Sequence, residues 1–378
     1  MEECLDELYG VLDKATVKGN VVDFQELSVA LTLNVIGRTA LDTEFDALNN
    51  THSPLHSAYN HLLESFSISA FNVLQGFLPF LRYMPIKRNR DIAQARDVTR
   101  DQVTRIIQRI KTDGAQAAST SVPSLMRVLL ENQKRQVVGE DGTDGKLTQD
   151  EIRDEALTFL VAGHETTSNA LSMTLYFLAA YPDTQSALYS ALVDMPDHAS
   201  LDDLLKLEAL HQVVNEGLRV HSPVFATNRI ALADQHVPLS DGRTLFMPKG
   251  TMLVVPIQAM HYDPELFPNP HVFQPDRWKS LRLAGHDDAD LTSPTTGSGS
   301  GVRRDVHPMQ FLPFLAGSRA CIGRNFALME LKLFLAGIVK RYRVRLPDEE
   351  HARVAGKGER PKVHYSITAR PEVVRLVF

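Results

Sequence analysis

The sequence predicts a mainly helical protein with small β-sheets. Three observations predict it. Apolar residues recur at helical spacing through the first half, a capped helical pattern fills the middle, and short strand-like runs with turn signals come only later. The 378 residues carry 40 basic and 46 acidic side chains, a net charge of −6, and are 43% hydrophobic and 23% charged. That is a globular balance, which excludes a disordered tail or a collagen-like repeat. Two cysteines exclude a disulfide scaffold and favour a reducing compartment. The mild negative charge argues against a nucleic-acid partner. No apolar run reaches the ~20 residues that span a bilayer. The acidic start, Met1-Glu2-Glu3-Cys4, reads as neither signal peptide nor anchor. No internal repeat or linker separates two cores, so residues 1–378 are expected to form a single domain.

The elements follow in order. From Val22 to Leu41, Phe24, Leu27, Leu31, Leu33, Val35 and Ile36 keep helical spacing. A second apolar stretch runs from Leu62 to Met84, broken at Pro79. A basic helix over Arg88–Lys111 buries Ile92, Val98, Val103, Ile106, Ile107 and Ile110, and its charges read as a solvated face rather than a binding patch. Thr112–Ser121 and Val138–Lys146 read as loops. Thr148-Gln149-Asp150-Glu151 fits a capping box and starts a helix that runs to Tyr181, about 33 residues or about 50 Å. Apolar around much of its circumference, that helix must cross the middle of a domain. Two shorter helices follow Ser200. Thr244–Met247 and Thr251–Pro256 read as strands, and Asp263–Trp278 as irregular, proline-rich chain. Residues 284–305, with Gly297-Ser298-Gly299-Ser300-Gly301, read as a flexible insertion loop. A helix is expected over Gly323–Arg341, then short strands at Tyr342–Leu346, Val363–Thr368 and Val373–Phe378. Cys4 is expected in a polar helix and to be dispensable.

Chemistry concentrates at Cys321, in Phe314-Leu315-Ala316-Gly317-Ser318-Arg319-Ala320-Cys321-Ile322-Gly323, just before a helix. A lone cysteine is most often a small buried hydrophobe. Here the amides and dipole of a helix start favour a thiolate. Gly317 and Gly323 let a flat ligand approach the backbone. Arg319 can pair with an acidic group on that ligand. A thiolate, close backbone and a cation suit a haem with its propionates.

Phe-x-x-Gly-x-Arg-x-Cys-x-Gly resembles the haem-ligand signature of the cytochromes P-450, with every position filled. The resemblance covers about Val22 to Phe378 and is strongest after Asp150. It implies Cys321 as the axial ligand of haem b, with Phe314, Gly317, Gly323, Arg319 and Ala162 against the haem. Glu216-Gly217-Leu218-Arg219, which alone could be a surface ion pair, resembles the family's buried pair. Arg277, in Phe273-Gln274-Pro275-Asp276-Arg277-Trp278, is the implied third member. Ala162-Gly163-His164-Glu165-Thr166-Thr167 resembles the oxygen-activation segment. There Thr166 would hold the hydrogen-bond network at dioxygen and Glu165 would relay protons; the bland alternative is that the threonines pack in a kink. Gly163 should weaken the helix, and His164 reads as structural. Arg229, at a strand start, sits where the family often binds a propionate, and Val224–Thr227 resembles a stretch lining the substrate pocket.

The family's first strands, its helices A to C and an anchor or leader are not visible, and Val22–Phe45 already resembles the D–E helix region. The chain is therefore expected to be an N-terminally truncated, eukaryotic microsomal-like member. The implied reaction inserts one oxygen atom from dioxygen into a small apolar substrate. No dinucleotide or flavin motif is present, so electrons would come from NADPH through a flavoprotein reductase. Other readings are isomerase, dehydratase or peroxygenase chemistry, a non-catalytic haem protein, or an inactive fragment. A full-length form would sit at the endoplasmic reticulum membrane, on its cytosolic face. Phe77-Leu78-Pro79-Phe80-Leu81 could dip into that membrane as a peripheral contact, or end a core helix. A basic set around the cysteine, Arg303, Arg304, Arg319, Arg324, Lys332, Lys340 and Arg341, suits an acidic reductase. Arg324 and Lys332 are the expected docking contacts.

Overall fold

The computed structural model describes residues 1–49, 70–113, 123–134, 147–196, 200–239, 241–283, 304–357 and 360–378. They fall into two compact units, Met1–Gln185 with Leu333–Phe378, and Ser186–Lys332. Of the loop expected at Thr112–Ser121, Thr112 and Asp113 still belong to a helix, and its remainder, the loop at Val138–Lys146, most of the insertion, and Leu62–Ser69 of the second apolar stretch lie outside the described residues.

The first unit is built on the Gln149–Ala180 helix. Its capping box forms as expected: Thr148 Oγ1 accepts from the Glu151 amide at 3.2 Å, and the Thr148 amide donates to Glu151 Oε2 at 2.7 Å. From Asn169 to Ala179 every side chain is buried, as a helix apolar on most sides requires. The Phe24–Ala40 helix lies against it. Small polar side chains tie the two together: Ser28 Oγ lies 2.7 Å from Ser172 Oγ, and Thr32 Oγ1 donates to the His164 carbonyl at 2.9 Å. Gly163, expected to weaken the long helix, instead permits this contact. A Cβ there would come within 2.6 Å of Ile36 Cδ1, so a side chain at this position would require Ile36 to move.

The Glu2–Val17 helix buries Cys4, Leu5, Leu8 and Leu12 on one stripe. Cys4 therefore belongs to the core, not to a polar face, and Arg38 Nη1 donates to its sulfur at 3.3 Å. The basic helix runs Lys87–Asp113 and buries Val103, Ile106, Ile107 and Ile110, as the spacing predicts, while Ile92 and Val98 are only half-buried. Asp23 caps the Phe24–Ala40 helix by accepting from the Gln25 amide at 3.0 Å. Its two-residue strand, Val22–Asp23, pairs antiparallel with Arg375–Leu376. The strand expected at Tyr342–Leu346 reduces to a single bridge, Arg345 with Val377. A helix not foreseen, Asp348–Lys357, follows it. Its signal was present: Asp348, Glu349 and Glu350 form an acidic first turn that favours the positive end of the helix dipole.

The second unit carries the Leu201–Lys206 and Glu208–Val220 helices, then two antiparallel strand pairs. Thr227–Ile230 pairs with Met252–Val255, placing Arg229 opposite Leu253. Gln235–Pro238 pairs with Thr244–Met247. Leu281–Leu283 and Arg304–Val306 pair in parallel, so the last two residues of the expected loop, Arg304 and Asp305, lie in a strand.

Lys332 corrects the expected docking face. It is 1% exposed and donates Nζ to the Leu205 carbonyl. Leu328 and Leu335, one turn away on either side, are buried too, so the helix turns this lysine inward. In the first unit Arg341 donates to Asp13 Oδ2 at 2.6 Å. Arg303 lies outside the described residues.

Candidate functional site

Cys321 is exposed, a sulfur presented rather than packed. Local backbone puts it there. Leu315 and Gly317 take positive φ, 60° and 70°, which turns the chain sharply. Gly317 accepts that conformation freely, whereas Leu315 must be held in it. The Cys321 amide then donates to the Phe314 carbonyl at 2.8 Å, closing the loop. The Arg324–Arg341 helix begins three residues later. A Cβ on Gly323 would lie 3.9 Å from the sulfur and meet nothing else, so the space around the sulfur stays open. Arg319 and Gly317 are exposed, and Phe314 is half-buried. An exposed sulfur beside a helix start, with an exposed guanidinium two residues away, is a donor set that fits a thiolate-ligated haem. Among the described residues, no cluster of His, Cys, Asp and Glu suits another metal centre.

Behind this loop, in the same unit, stands the expected buried ion-pair cluster. Arg219 donates Nε to Glu216 Oε2 at 3.0 Å and Nη2 to Oε1 at 2.9 Å. Arg277 donates Nε to Oε1 at 3.0 Å. Sequence reasoning missed two further donors, the Gln274 amide at 2.8 Å and Trp278 Nε1 at 3.0 Å. The indole stood in the motif, and a buried Trp N–H needs an acceptor. The free ends of both guanidiniums grip the irregular chain. Arg219 Nη1 reaches the carbonyls of His261 and Pro270, and Arg277 Nη1 that of Pro268. Arg229 is exposed on its strand and donates to Thr227 Oγ1 at 2.9 Å and the Asn228 carbonyl at 2.8 Å.

The other candidates lie in the first unit, on the long helix. Thr166 Oγ1 donates to the Ala162 carbonyl at 2.8 Å, and Thr167 Oγ1 to the Gly163 carbonyl at 3.3 Å. The helix stays unbroken through both. Ala162 is exposed and Thr166 half-buried, one turn apart on one face. Glu165 points elsewhere. It is 2% exposed and accepts from Thr368 Oγ1 at 2.7 Å. Thr368 accepts from Asn169 Nδ2 at 3.2 Å, and Asn169 Oδ1 accepts from Gln25 Nε2 at 2.8 Å. Asn169, one turn beyond Glu165 in an apolar stretch, was the available signal for this buried chain. His164 is buried with Nδ1 against the Leu160 carbonyl, the structural role expected of it.

Comparison with known proteins bears directly on this arrangement. A family model described as Cytochrome P450 matches residues 1–361. The chain belongs to the cytochrome P450 family. It is 32% identical over 358 residues to Cytochrome P450 monooxygenase 205 of Postia placenta, covering 88% of this chain and 62% of that protein. It is 30% identical over 340 residues to Cytochrome P450 3A29 of Sus scrofa, covering 89% of this chain and 62% of that one. The chain thus spans about three fifths of the length of these relatives. The crystal structure of the cytochrome P450DA heme domain superposes with a TM-score of 0.73 at 24% identity, over 99% of this chain and 71% of that one, which shows the shared P450 fold. A mainly helical chain with small, mostly antiparallel sheets is what that fold requires, and what the periodicity predicted.

Proposed function

We propose that this P450 chain carries the chemistry of a haem-thiolate monooxygenase acting on a small apolar substrate. The observation that carries the reading is the exposed Cys321 sulfur, held at a helix start within a complete signature loop. Haem b, when bound, supplies activation of dioxygen, and a thiolate ligand favours O–O cleavage. Cys321 would hold the iron, and Gly317 and Gly323 would leave room for the ring. Phe314 and Ala162 would lie against it, and Arg319 and Arg229 would face its propionates. Thr166 donates its own proton to the Ala162 carbonyl, which leaves its oxygen as an acceptor on the accessible side of the helix. A rotation of the hydroxyl turns that acceptor into a donor, so Thr166 can hold and pass a proton toward dioxygen. Glu165, at the accepting end of the Gln25–Asn169–Thr368 chain, would relay protons behind it. Electrons would come from NADPH through a flavoprotein reductase.

The ferrous carbon monoxide spectrum of the chain tests this. A strongly red-shifted Soret band is expected in the wild type and in Cys4→Ala, and its absence in Cys321→Ala. The reverse pattern would overturn the ligand. In reductant-driven turnover Thr166→Ala should keep the spectrum and substrate binding but release peroxide in place of product. Wild-type coupling would reduce Thr166 to a packing residue.

Peripheral contact with the cytosolic face of the endoplasmic reticulum membrane is also proposed. Phe77 and Tyr83 are 79% and 87% exposed, and Leu74, Leu78, Phe80 and Met84 are exposed beside them. Such a cluster suits insertion at a bilayer surface. Among the described residues, no helix is long and apolar enough to cross one. Flotation with phospholipid vesicles should fall several-fold in a Phe77→Glu, Phe80→Glu variant; unchanged flotation would remove the segment from any membrane role.

A further inference from the structure

The segment that leads to Cys321 begins on a side chain that no motif singled out. The Leu312 amide donates to His261 Nε2 at 3.0 Å. His261 ends the short Ile257–His261 helix and is 0% exposed. Its carbonyl accepts from Arg219 Nη1 at 2.9 Å. Its ring lies 5.0 Å from that of Phe311, and Phe311 lies 4.7 Å from Trp278. Two routes from the Glu216 cluster therefore meet at Phe311-Leu312, one through Arg219 and His261, the other through Trp278.

The imidazole is held in one tautomer. Because Nε2 accepts from an amide, the ring proton sits on Nδ1. Nδ1 is buried and turned to the backbone carbonyls of Leu218 and Arg219. The ring is therefore fixed from its other side, and Nε2 is its one acceptor. Its use is visible downstream. Leu312 accepts from the Leu315 amide at 3.2 Å, Leu315 takes its positive φ, and Phe314 then accepts from the Cys321 amide at 2.8 Å. A displacement at Leu312 passes through these bonds to the sulfur.

We infer that His261 is a positioning residue: its Nε2 acceptor anchors the Leu312 amide and thereby fixes where the following loop presents Cys321. The inference rests on the reading of Cys321 as haem ligand. Glu216, Arg219 and Arg277 hold the irregular chain, and His261 passes that rigidity to the cysteine loop.

Three variants of the full chain test it. His261→Gln places an amide oxygen near the Nε2 position. His261→Asn places its oxygen near Nδ1, short of the Leu312 amide. His261→Phe keeps the ring and its stacking but has no acceptor. Amide hydrogen exchange is followed at Leu312 and Cys321, with Leu335 in the buried part of its helix as the reference for global opening. The ferrous carbon monoxide spectrum is recorded on the haem-loaded protein. His261→Phe and His261→Asn should speed exchange at Leu312 at least tenfold relative to Leu335 and lose most of the red-shifted band. His261→Gln should keep both near wild type. Wild-type protection at Leu312 in His261→Phe would overturn the inference. So would a His261→Gln variant that loses as much as His261→Asn. If His261→Phe exchanges globally, the Gln and Asn pair decides. A wild-type chain that never gives the red-shifted band would sink the haem reading, while the exchange arm still decides whether His261 holds the loop.

Discussion

Glu216→Ala is expected to cost about 3–5 kcal/mol of folding stability, the range for removing one partner of a buried ion pair. That is a large part of the roughly 5–15 kcal/mol that holds a typical domain together. The side chains of Glu216 and Arg219 are 0% exposed and that of Arg277 is 6% exposed, so solvent cannot replace the lost carboxylate. Two guanidiniums, the Trp278 indole and the Gln274 amide would be stranded together. Glu216→Gln keeps the shape and one acceptor oxygen but leaves both cations without a counter-charge, so it should lose nearly as much. Trp278→Phe removes one donor while Arg219 Nε still serves Oε2, and should cost about 1–3 kcal/mol. Urea midpoints across the three variants give this order. A Glu216→Ala protein with a wild-type midpoint and full haem content would mean that the cluster is not structural.

That cluster was readable because its parts are strongly marked. A charged pair at i and i+3 and a Phe-x-Pro-Asp-Arg segment need no tertiary knowledge to find. The Gln149–Ala180 helix was readable for a similar reason, since its capping box and its apolar circumference are local. The residues that were missed act through distant partners. Thr368 matters because it meets Glu165, and His261 because it meets Leu312; neither carries a local pattern. The Val22–Asp23 strand is too short to have a period, and exists because Arg375–Leu376 comes alongside it. Lys332 misled because its charge was read before its neighbours. Leu328 and Leu335 already marked its face as buried, and a lysine there must bring its ammonium to a carbonyl. Gly163 was read only as a weak point of its helix because its partner, Ile36, lies on another helix.

Acid should weaken the wild type through His261 by an amount that one substitution isolates. Burial, reinforced by the nearby Arg219 charge, lowers its pKa from the ordinary 6.5 to about 3. Between those values the unfolded chain binds a proton that the folded chain refuses. Stability therefore falls as pH falls from 6.5 towards 3, and the loss is complete below the folded value. At about 1.4 kcal/mol for each pH unit, the full span comes to about 5 kcal/mol. The structural cause is direct: protonation turns the Nε2 acceptor into a donor facing the Leu312 amide. Glu330 contributes with the opposite sign. Burial raises its pKa, so the folded chain holds a proton that the unfolded chain releases, and stability falls as pH rises above 4.5. Raw acid denaturation mixes these with the carboxyls of Asp13, Glu151 and Asp241, whose hydrogen bonds lower their pKa values. The stability of wild type minus that of His261→Gln cancels Glu330 and leaves the imidazole. Measured by urea unfolding at intervals from pH 7 to pH 4, the difference should be flat near pH 7. It should then turn against wild type below about 6.5, approaching 1.4 kcal/mol per unit. A difference that stays flat down to pH 4 would mean that His261 protonates in the folded chain as readily as in the unfolded one, and that its ring is not held as a neutral acceptor.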